Sequence, residues 1–265
     1  MSISGIQRKE VIKDLIERNK RVSVSELSVI LEVSRVTVRK YLKELEREKF
    51  LRTTYGGAFL LKAGRPVSDV LSPAGNKEFR DAIHAISEKA FSLLRENEII
   101  FLDSGEASFA LASRMKKVEM RMVVVSNSIS VISEIARNPL IRVFVPGGML
   151  KSDQMDFSGN YTREKMKKIF FNQSFLEVEA LSSRLGLTEK EHNTGEIHEA
   201  VIKNSGTVNL LADSSRIGKI SLLQYGNLGE LRIPKRLITD SNADRHELKR
   251  IKDRFNIEVV EANPA

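Results

Sequence analysis

Ser23-Val24-Ser25-Glu26-Leu27-Ser28-Val29-Ile30-Leu31-Glu32-Val33-Ser34-Arg35-Val36-Thr37-Val38-Arg39-Lys40-Tyr41-Leu42-Lys43-Glu44-Leu45 contains two helix starts in quick succession. Ser23 and Glu26 have the spacing at which each side chain satisfies the other's free backbone amide. Leu27, Ile30 and Leu31 follow at helical intervals, so a helix of about two turns begins here. Glu32-Val33-Ser34 interrupts it. Ser34 can cap a second helix whose apolar residues Val38, Leu42 and Leu45 recur every three or four positions. The remaining faces of that helix hold Arg35, Thr37, Arg39, Lys40 and Lys43. Two helices joined this tightly, the second carrying cations, form a helix-turn-helix pattern, in which the start of the second helix enters the major groove. Arg35, Thr37 and Arg39 are therefore expected nearest base edges and Lys40 and Lys43 nearest phosphates, with Ser34 at the helix start a further DNA-binding candidate. Tyr41 suits either role, or packing.

An amphipathic helical hairpin with merely solvated charges would show the same spacing, and the neighbouring sequence separates the two readings. Leu51-Arg52-Thr53-Thr54-Tyr55-Gly56-Gly57-Ala58-Phe59 reads as a short hairpin, with glycines where a strand must turn or pass close to another backbone. Such a hairpin beside a recognition helix is a wing, which adds Arg52 and Tyr55 to the DNA-binding candidates. Residues 1–62 hold 14 Lys and Arg against 8 Asp and Glu, a net +6, leaving only +2 of the chain's +8 for the rest. Positive charge is concentrated where phosphate neutralisation requires it. Double-stranded operator DNA is the expected partner.

The segment resembles the DNA-binding domain of DeoR-type bacterial transcriptional regulators. The resemblance lies in Arg8-Lys9-Glu10-Val11-Ile12, Val24-Ser25-Glu26-Leu27, Val33-Ser34-Arg35-Val36-Thr37-Val38-Arg39, Leu42-Lys43-Glu44-Leu45-Glu46 and Arg52-Thr53-Thr54-Tyr55-Gly56-Gly57-Ala58. Each piece is weak alone; their order and spacing together are specific.

At 265 residues and 41% hydrophobic composition, the chain is ample for a domain of roughly 60 residues and a larger one. The expected division is 1–62 for the winged helix-turn-helix, 63–75 for a linker rich in Gly, Pro and Ser, and 76–265 for an effector-binding and oligomerisation domain. Without cysteine there are no disulfides or thiolate metal sites. His84, His192, His198 and His246 lie far apart and read as surface or helix-capping residues, so no metal, cofactor or catalytic site is expected. No apolar run approaches the ~18 residues that span a bilayer, and the first residues lack a signal-peptide core. No membrane partner is expected, and a cytoplasmic location is.

From Glu78 a helical pattern gives way to alternating strands and helices, the rhythm of an α/β domain with a mainly parallel, Rossmann-like sheet. Strands are expected at 98–102, 122–125, 142–145, 174–178, 207–211 and 235–238. Small or polar residues follow them: Asp103-Ser104-Gly105, Ser126-Asn127-Ser128, Pro146-Gly147-Gly148, Asp213-Ser214-Ser215 and Thr239-Asp240. Such residues end strands in any α/β domain, yet the carboxyl ends of parallel strands also form the crevice where ligands bind. Five such loops in one sheet predict a pocket.

The resemblance continues through this half, since DeoR-type effector domains look like sugar-phosphate isomerases. It maps their Asp-x-Gly-Thr-Thr-Thr loop onto Asp103-Ser104-Gly105-Glu106-Ala107-Ser108, their Thr-Asn pair onto Ser126-Asn127, their glycines onto Gly147-Gly148 and their Asp-x-Ser-Lys loop onto Asp213-Ser214-Ser215-Arg216, with Lys219 as a second cation. Glu177-Val178-Glu179-Ala180 replaces a Gly-x-Asp-Gly segment ahead of Gly186-Leu187-Thr188, and His198 stands where a Lys is usual. The effector-binding candidates are thus Asp103, Gly105, Glu106, Ser108, Ser126, Asn127, Gly147, Gly148, Glu179, Asp213, Arg216 and Lys219.

A phosphate pocket wants amides, hydroxyls and cations. Glu106 and Glu177 add negative charge and the Lys is lost, which disfavours the phosphorylated form of a sugar or sugar derivative. The expectation is a repressor of a carbohydrate-metabolism operon, a homo-oligomer, whose pocket is retuned to a neutral or cationic small molecule or has lost its ligand. The alternatives are an oligomeric DNA-binding protein with a degenerate pocket, and an isomerase-like enzyme using Glu179 or Asp103 as a base. The enzyme reading lacks the phosphate anchors its substrate would need.

Overall fold

Ser23 and Ser34 both cap helices. The Glu26 amide donates to Ser23 Oγ at 3.1 Å and the Ser23 amide donates to Glu26 Oε2 at 3.1 Å, while the Thr37 amide donates to Ser34 Oγ at 3.2 Å. In the computed structural model, which describes residues 5–19, 21–48, 50–54, 57–60, 77–151 and 154–263, these caps start α2 (Val24–Ile30) and α3 (Arg35–Arg47). Glu32, at φ +51°, reverses the chain between them. Before them come α1 (Gly5–Asn19) and β1 (Arg21–Ser23); after them, β2 (Leu51–Thr54) and β3 (Gly57–Leu60). Ile12 and Ile16 of α1, Leu27 of α2, and Val38, Leu42 and Leu45 of α3 close one core with Leu51. Each fully buried aliphatic side chain contributes about 1.5–3 kcal/mol, enough to hold a unit this small.

The wing has three strands rather than two. β1 pairs antiparallel with β3, which pairs antiparallel with β2. Three residues before a capped helix are too short a run to read as a strand in sequence. Gly57 is the close-approach glycine: a Cβ there would lie 2.0 Å from the Val22 carbonyl oxygen of β1. Tyr55, the side chain of Arg52 and the expected linker at 63–75 lie outside the described residues.

The chain divides into two compact units, Met1–Pro66 and Val67–Ala265. In the second, α4 (Lys77–Phe91) precedes β4 (Ile99–Leu102), α5 (Glu106–Met115), β5 (Met122–Val125), α6 (Ile129–Ile135) and β6 (Ile141–Phe144). A hairpin of β7 (Met149–Lys151) and β8 (Asp156–Ser158) leads through α7 (Asn160–Met166) to β9 (Phe171–Glu177). β10 (Ala180–Ser182), β11 (Gly186–Glu189) and β13 (Leu223–Gln224) form a small antiparallel sheet. Between its second and third strands run α8 (His192–Lys203) and β12 (Ser205–Leu211); β14 (Lys235–Asp240), α9 (Arg245–Phe255) and β15 (Glu258–Ala262) follow.

The main sheet is seven-stranded and wholly parallel, in the order β15-β14-β12-β9-β4-β5-β6. Its faces are both covered. Ile100 and Leu102 join the layer of α4, α5 and α6, and Phe101 between them joins the layer of α7, α8 and α9. Six of the seven were visible in sequence: the inner strands, buried on both faces, read as apolar runs, and the edge strand β6 keeps a short apolar, β-branched run although it is partly exposed. The seventh, β15, is half exposed at the sheet edge, and its glutamates hide it. Two other expectations need correction: β6 is shifted one residue earlier than 142–145, and Thr239-Asp240 lies inside β14 instead of in a loop after it. β7, β8, β10, β11 and β13 span only two to four residues each, too short for a periodic signal.

Candidate DNA-reading helix and ligand cavity

On α3 the buried stripe of Val38, Leu42 and Leu45 turns Arg35, Val36, Arg39, Lys40 and Lys43 outward. Ser34 and Thr37 are tied to each other, with their hydroxyl oxygens 2.9 Å apart, which fixes the first turn. The helix's carboxylates face elsewhere. Lys9 of α1 reaches Glu44 and Glu48, each at 3.4 Å, and Glu46 accepts from the Thr53 amide at 2.8 Å and its hydroxyl at 2.7 Å. Those bonds secure α3 to α1 and to the wing. Among the described residues Arg35, Arg39, Lys40 and Lys43 have no carboxylate partner, so their charge is available to phosphates or base edges.

In the second unit the chain starts in mid-sheet at β4, runs outward through β5 and β6, and returns to β9 on the other side of β4. The order reverses between β4 and β9, and a crevice at the carboxyl ends of strands belongs at that point. A cavity of about 760 Å³ opens there, lined by Asp103 to Glu106 after β4, Ser128 and Ser130 after β5, Glu177 to Glu179 at the end of β9 and Asp213 and Arg216 after β12. Glu189, Lys190, Glu191, Thr194 and His198 of β11 and α8, Gln154 and Asp156 of the β7–β8 hairpin, and Phe79 and Ile83 of α4 complete the wall.

Asp103 organises the floor. Its carboxylate accepts from the Ser104 amide at 2.8 Å and the Glu177 amide at 3.0 Å, and holds His198 Nε2 at 2.8 Å. His198 is buried, with its ring 5.3 Å from that of Tyr225. Burial works against its protonation, but Asp103, with Glu189 and Asp156 beyond it, carries its pKa above the ordinary imidazole value. Glu177 accepts from the Ser108 amide at 2.6 Å and lies against Gly105, where a Cβ would be 2.3 Å from Glu177 Cγ. Burial, reinforced by the Asp103 charge, pushes the Glu177 carboxyl up to about 8. The same causes push Asp156 up to about 7, against the lowering effect of the Ser104 and Ser128 hydroxyls. At the cavity wall Arg216 Nη1 donates to Glu179 at 3.0 Å, Arg216 Nε lies 3.4 Å from Asp213, and Lys190 lies 3.4 Å from Glu179.

Of the effector-site residues expected from sequence, Asp103, Gly105, Glu106, Glu179, Asp213 and Arg216 come together around this cavity. The other six do not line it. Ser126 accepts from the Ser128 amide, and Asn127 donates to the Phe157 carbonyl at 3.1 Å, which seats the hairpin carrying Asp156. Ser108 is buried beneath Glu177. Gly147 and Gly148 lie against α7: Thr162 donates to the Gly147 carbonyl at 2.7 Å, and a Cβ at Gly148 would meet the same hydroxyl. Lys219 is exposed.

His198 corrects the sequence reading, which placed it on a surface or at a cap. Its one available signal was its position where the resemblance expects a Lys. Asp156 had none, because only the hairpin's fold brings it to the cavity.

A family model described as the DeoR C-terminal sensor domain matches residues 80–241, and one described as a DeoR-like helix-turn-helix domain matches residues 8–63. This chain belongs to the DeoR family. It is a DNA-binding transcriptional regulator with a ligand-sensing domain, and not an enzyme. An HTH-type transcriptional regulator of Bacillus subtilis, FruR, is 30% identical over 227 residues, 86% of this chain and 89% of that protein. The HTH-type transcriptional repressor GlcR of the same organism is 26% identical, over 88% of each chain. Among solved structures, ribose 5-phosphate isomerase A of Methanocaldococcus jannaschii overlaps 52% of this chain and 54% of its own at a TM-score of 0.38 and 13% identity. Among the described residues no helix of this DeoR-family chain is long and apolar enough to cross a membrane, and no His, Asp and Glu group is arranged to hold a metal ion.

Proposed function

We propose that this regulator is a repressor of a carbohydrate-metabolism operon, acting in the cytoplasm as a homo-oligomer. Residues 1–62 are its DNA-reading head, 63–75 a linker, and 76–265 the sensing and assembly domain. The observation that carries the proposal is the outward face of α3, where Arg35, Arg39, Lys40 and Lys43 are exposed while the helix's carboxylates are engaged by α1 and the wing. Arg35, Thr37 and Arg39 address base edges and Lys40 and Lys43 the phosphates, and Ser34, Arg52 and Tyr55 complete the DNA-binding set.

A relative that is itself named a repressor supports the sign of regulation. Support for assembly comes from Phe144, Val145, Met149 and Leu150, which stand exposed along the free β6 edge and its hairpin, with Tyr161 beside Gly147. Apolar surface gathered in this way marks a contact site. The cavity at the β4/β9 reversal is the effector site, with Ser104, Ser128, Ser130 and Thr194 offering hydroxyl partners to a polyhydroxyl ligand. Binding there would favour one spacing of the paired heads, a coupling typically of ~1–3 kcal/mol that changes operator occupancy severalfold to a hundredfold.

Footprinting of the full chain on genomic fragments tests the proposal. Protection of two half-sites about one helical turn or a multiple apart is the expected result. Protection without sequence preference would overturn it.

A further inference from the structure

We propose that the cavity takes a positively charged, hydroxyl-bearing small molecule of the amino-sugar class and rejects phosphate esters. The proposal rests on the reading of this cavity as the effector site and names the chemistry that site recognises.

Several charges in the wall are already matched. Arg216 is shared by Glu179 and Asp213, Lys190 is held by Glu179, and His198 is paired with Asp103. Among the described residues Asp156, Glu177 and Glu189 have no Lys or Arg within ion-pair distance. A phosphate dianion entering here would find Arg216 and Lys190 already paired and would have to displace Glu179 and Asp213 to reach them, and it would hold Asp156, Glu177 and Glu189 in their protonated forms or be repelled by them.

A second observation is independent of charge. Asp156 is only 9% exposed and lines the cavity, yet its Oδ1 has no hydrogen-bond partner in the protein. His198, 3% exposed in the same wall, has no partner at Nδ1. Buried polar atoms left unmatched are costly, and such atoms in the wall of a large polar cavity point to a ligand that completes them. An ammonium group supplies three donors and a counter-charge for Asp156, and a ligand hydroxyl, which both donates and accepts, can complete His198 Nδ1. The hydroxyls of Ser130 and Thr194 suit the remaining hydroxyls of a sugar ring, beside those of Ser104 and Ser128, which bond the Asp156 carboxyl. The raised pKa values of Asp156 and Glu177 fit this pattern, because without a counter-cation buried carboxyls hold their protons near neutral pH.

Thermal shift of the full chain with glucosamine, N-acetylglucosamine, glucose and glucose 6-phosphate tests the proposal, since a ligand that binds only the folded state raises its stability by mass action. Glucosamine is expected to stabilise the protein with at least tenfold tighter apparent affinity than glucose or the uncharged N-acetyl form, and glucose 6-phosphate to give no shift. Asp156→Asn is expected to weaken glucosamine binding at least tenfold. Binding of glucose 6-phosphate as tight as that of glucosamine would overturn the charge assignment while leaving the cavity an effector site. Equal binding of glucosamine and its N-acetyl form would overturn it as well. Silence from all four probes would overturn the proposal; if none altered operator affinity either, the effector-site reading would lose its support too.

Discussion

At the residue scale, the cavity is governed by carboxyl groups placed where water is scarce. Asp156 is held at about 7 in the folded protein against 3.8 ordinarily, so the folded state keeps a proton that the unfolded chain releases. This group therefore costs nothing well below pH 4, and its destabilising effect grows as pH rises from about 4 to about 7. Asp156→Asn should raise Tm more at pH 8 than at pH 4, by roughly 2–4 °C for each ~1 kcal/mol recovered. A gain that did not change with pH, read by circular dichroism melting, would contradict the assigned burial. Arg39 makes the corresponding case on the DNA side. Arg39→Ala should cost about 1–3 kcal/mol of specific operator binding and relax one operator position if the guanidinium reads a guanine edge. Fluorescence anisotropy on operator variants checks this, and uniform weakening across sequences would assign Arg39 to phosphate. Arg39 was legible in sequence because helical spacing alone turns it outward. Asp156 was not, because its place depends on a hairpin folding over the sheet edge.

At the element scale, the caps and the wing carry the argument. Ser34 holds the first turn of α3 through the Thr37 amide and hydroxyl, so Ser34→Ala should cost about 1 kcal/mol, typical of a lost helix cap. Urea denaturation followed by helix signal measures it. Gly57 works by having no side chain: with the Val22 carbonyl 2.0 Å from where a Cβ would stand, β3 can reach β1 only if glycine occupies that position. Gly57→Ala should destabilise the winged unit by about 1–3 kcal/mol and weaken operator binding with it. An unchanged urea midpoint would mean that β1 yields freely. The glycines of the hairpin were visible as a pattern, while the strand that Gly57 approaches was not, since three residues carry no periodic signal. The same holds across the larger unit, where long apolar strands were legible and short polar ones were not.

At the scale of the whole molecule, the net +6 gathered in residues 1–62 sets the salt response. Log affinity should fall linearly with log salt at a slope of about −0.9 per phosphate neutralised, and deleting one of two paired half-sites should roughly halve that slope. An unchanged slope would indicate a single head on DNA. The sequence by itself determined the two-part organisation, the capped helix-turn-helix, the parallel sheet and the loops at its carboxyl edge. All of these follow from local periodicity, capping and charge, which are properties of neighbouring residues. The tertiary structure alone decided that His198 joins Asp103, that Asp156 enters the cavity, and that Ser126, Asn127 and the Gly147-Gly148 pair support the wall without lining it. Those outcomes depend on where β9 re-enters the sheet beside β4 and on how the β7–β8 hairpin closes over it. They bring together residues up to 95 positions apart, as Asp103 and His198 are, and no local pattern records a contact at that separation.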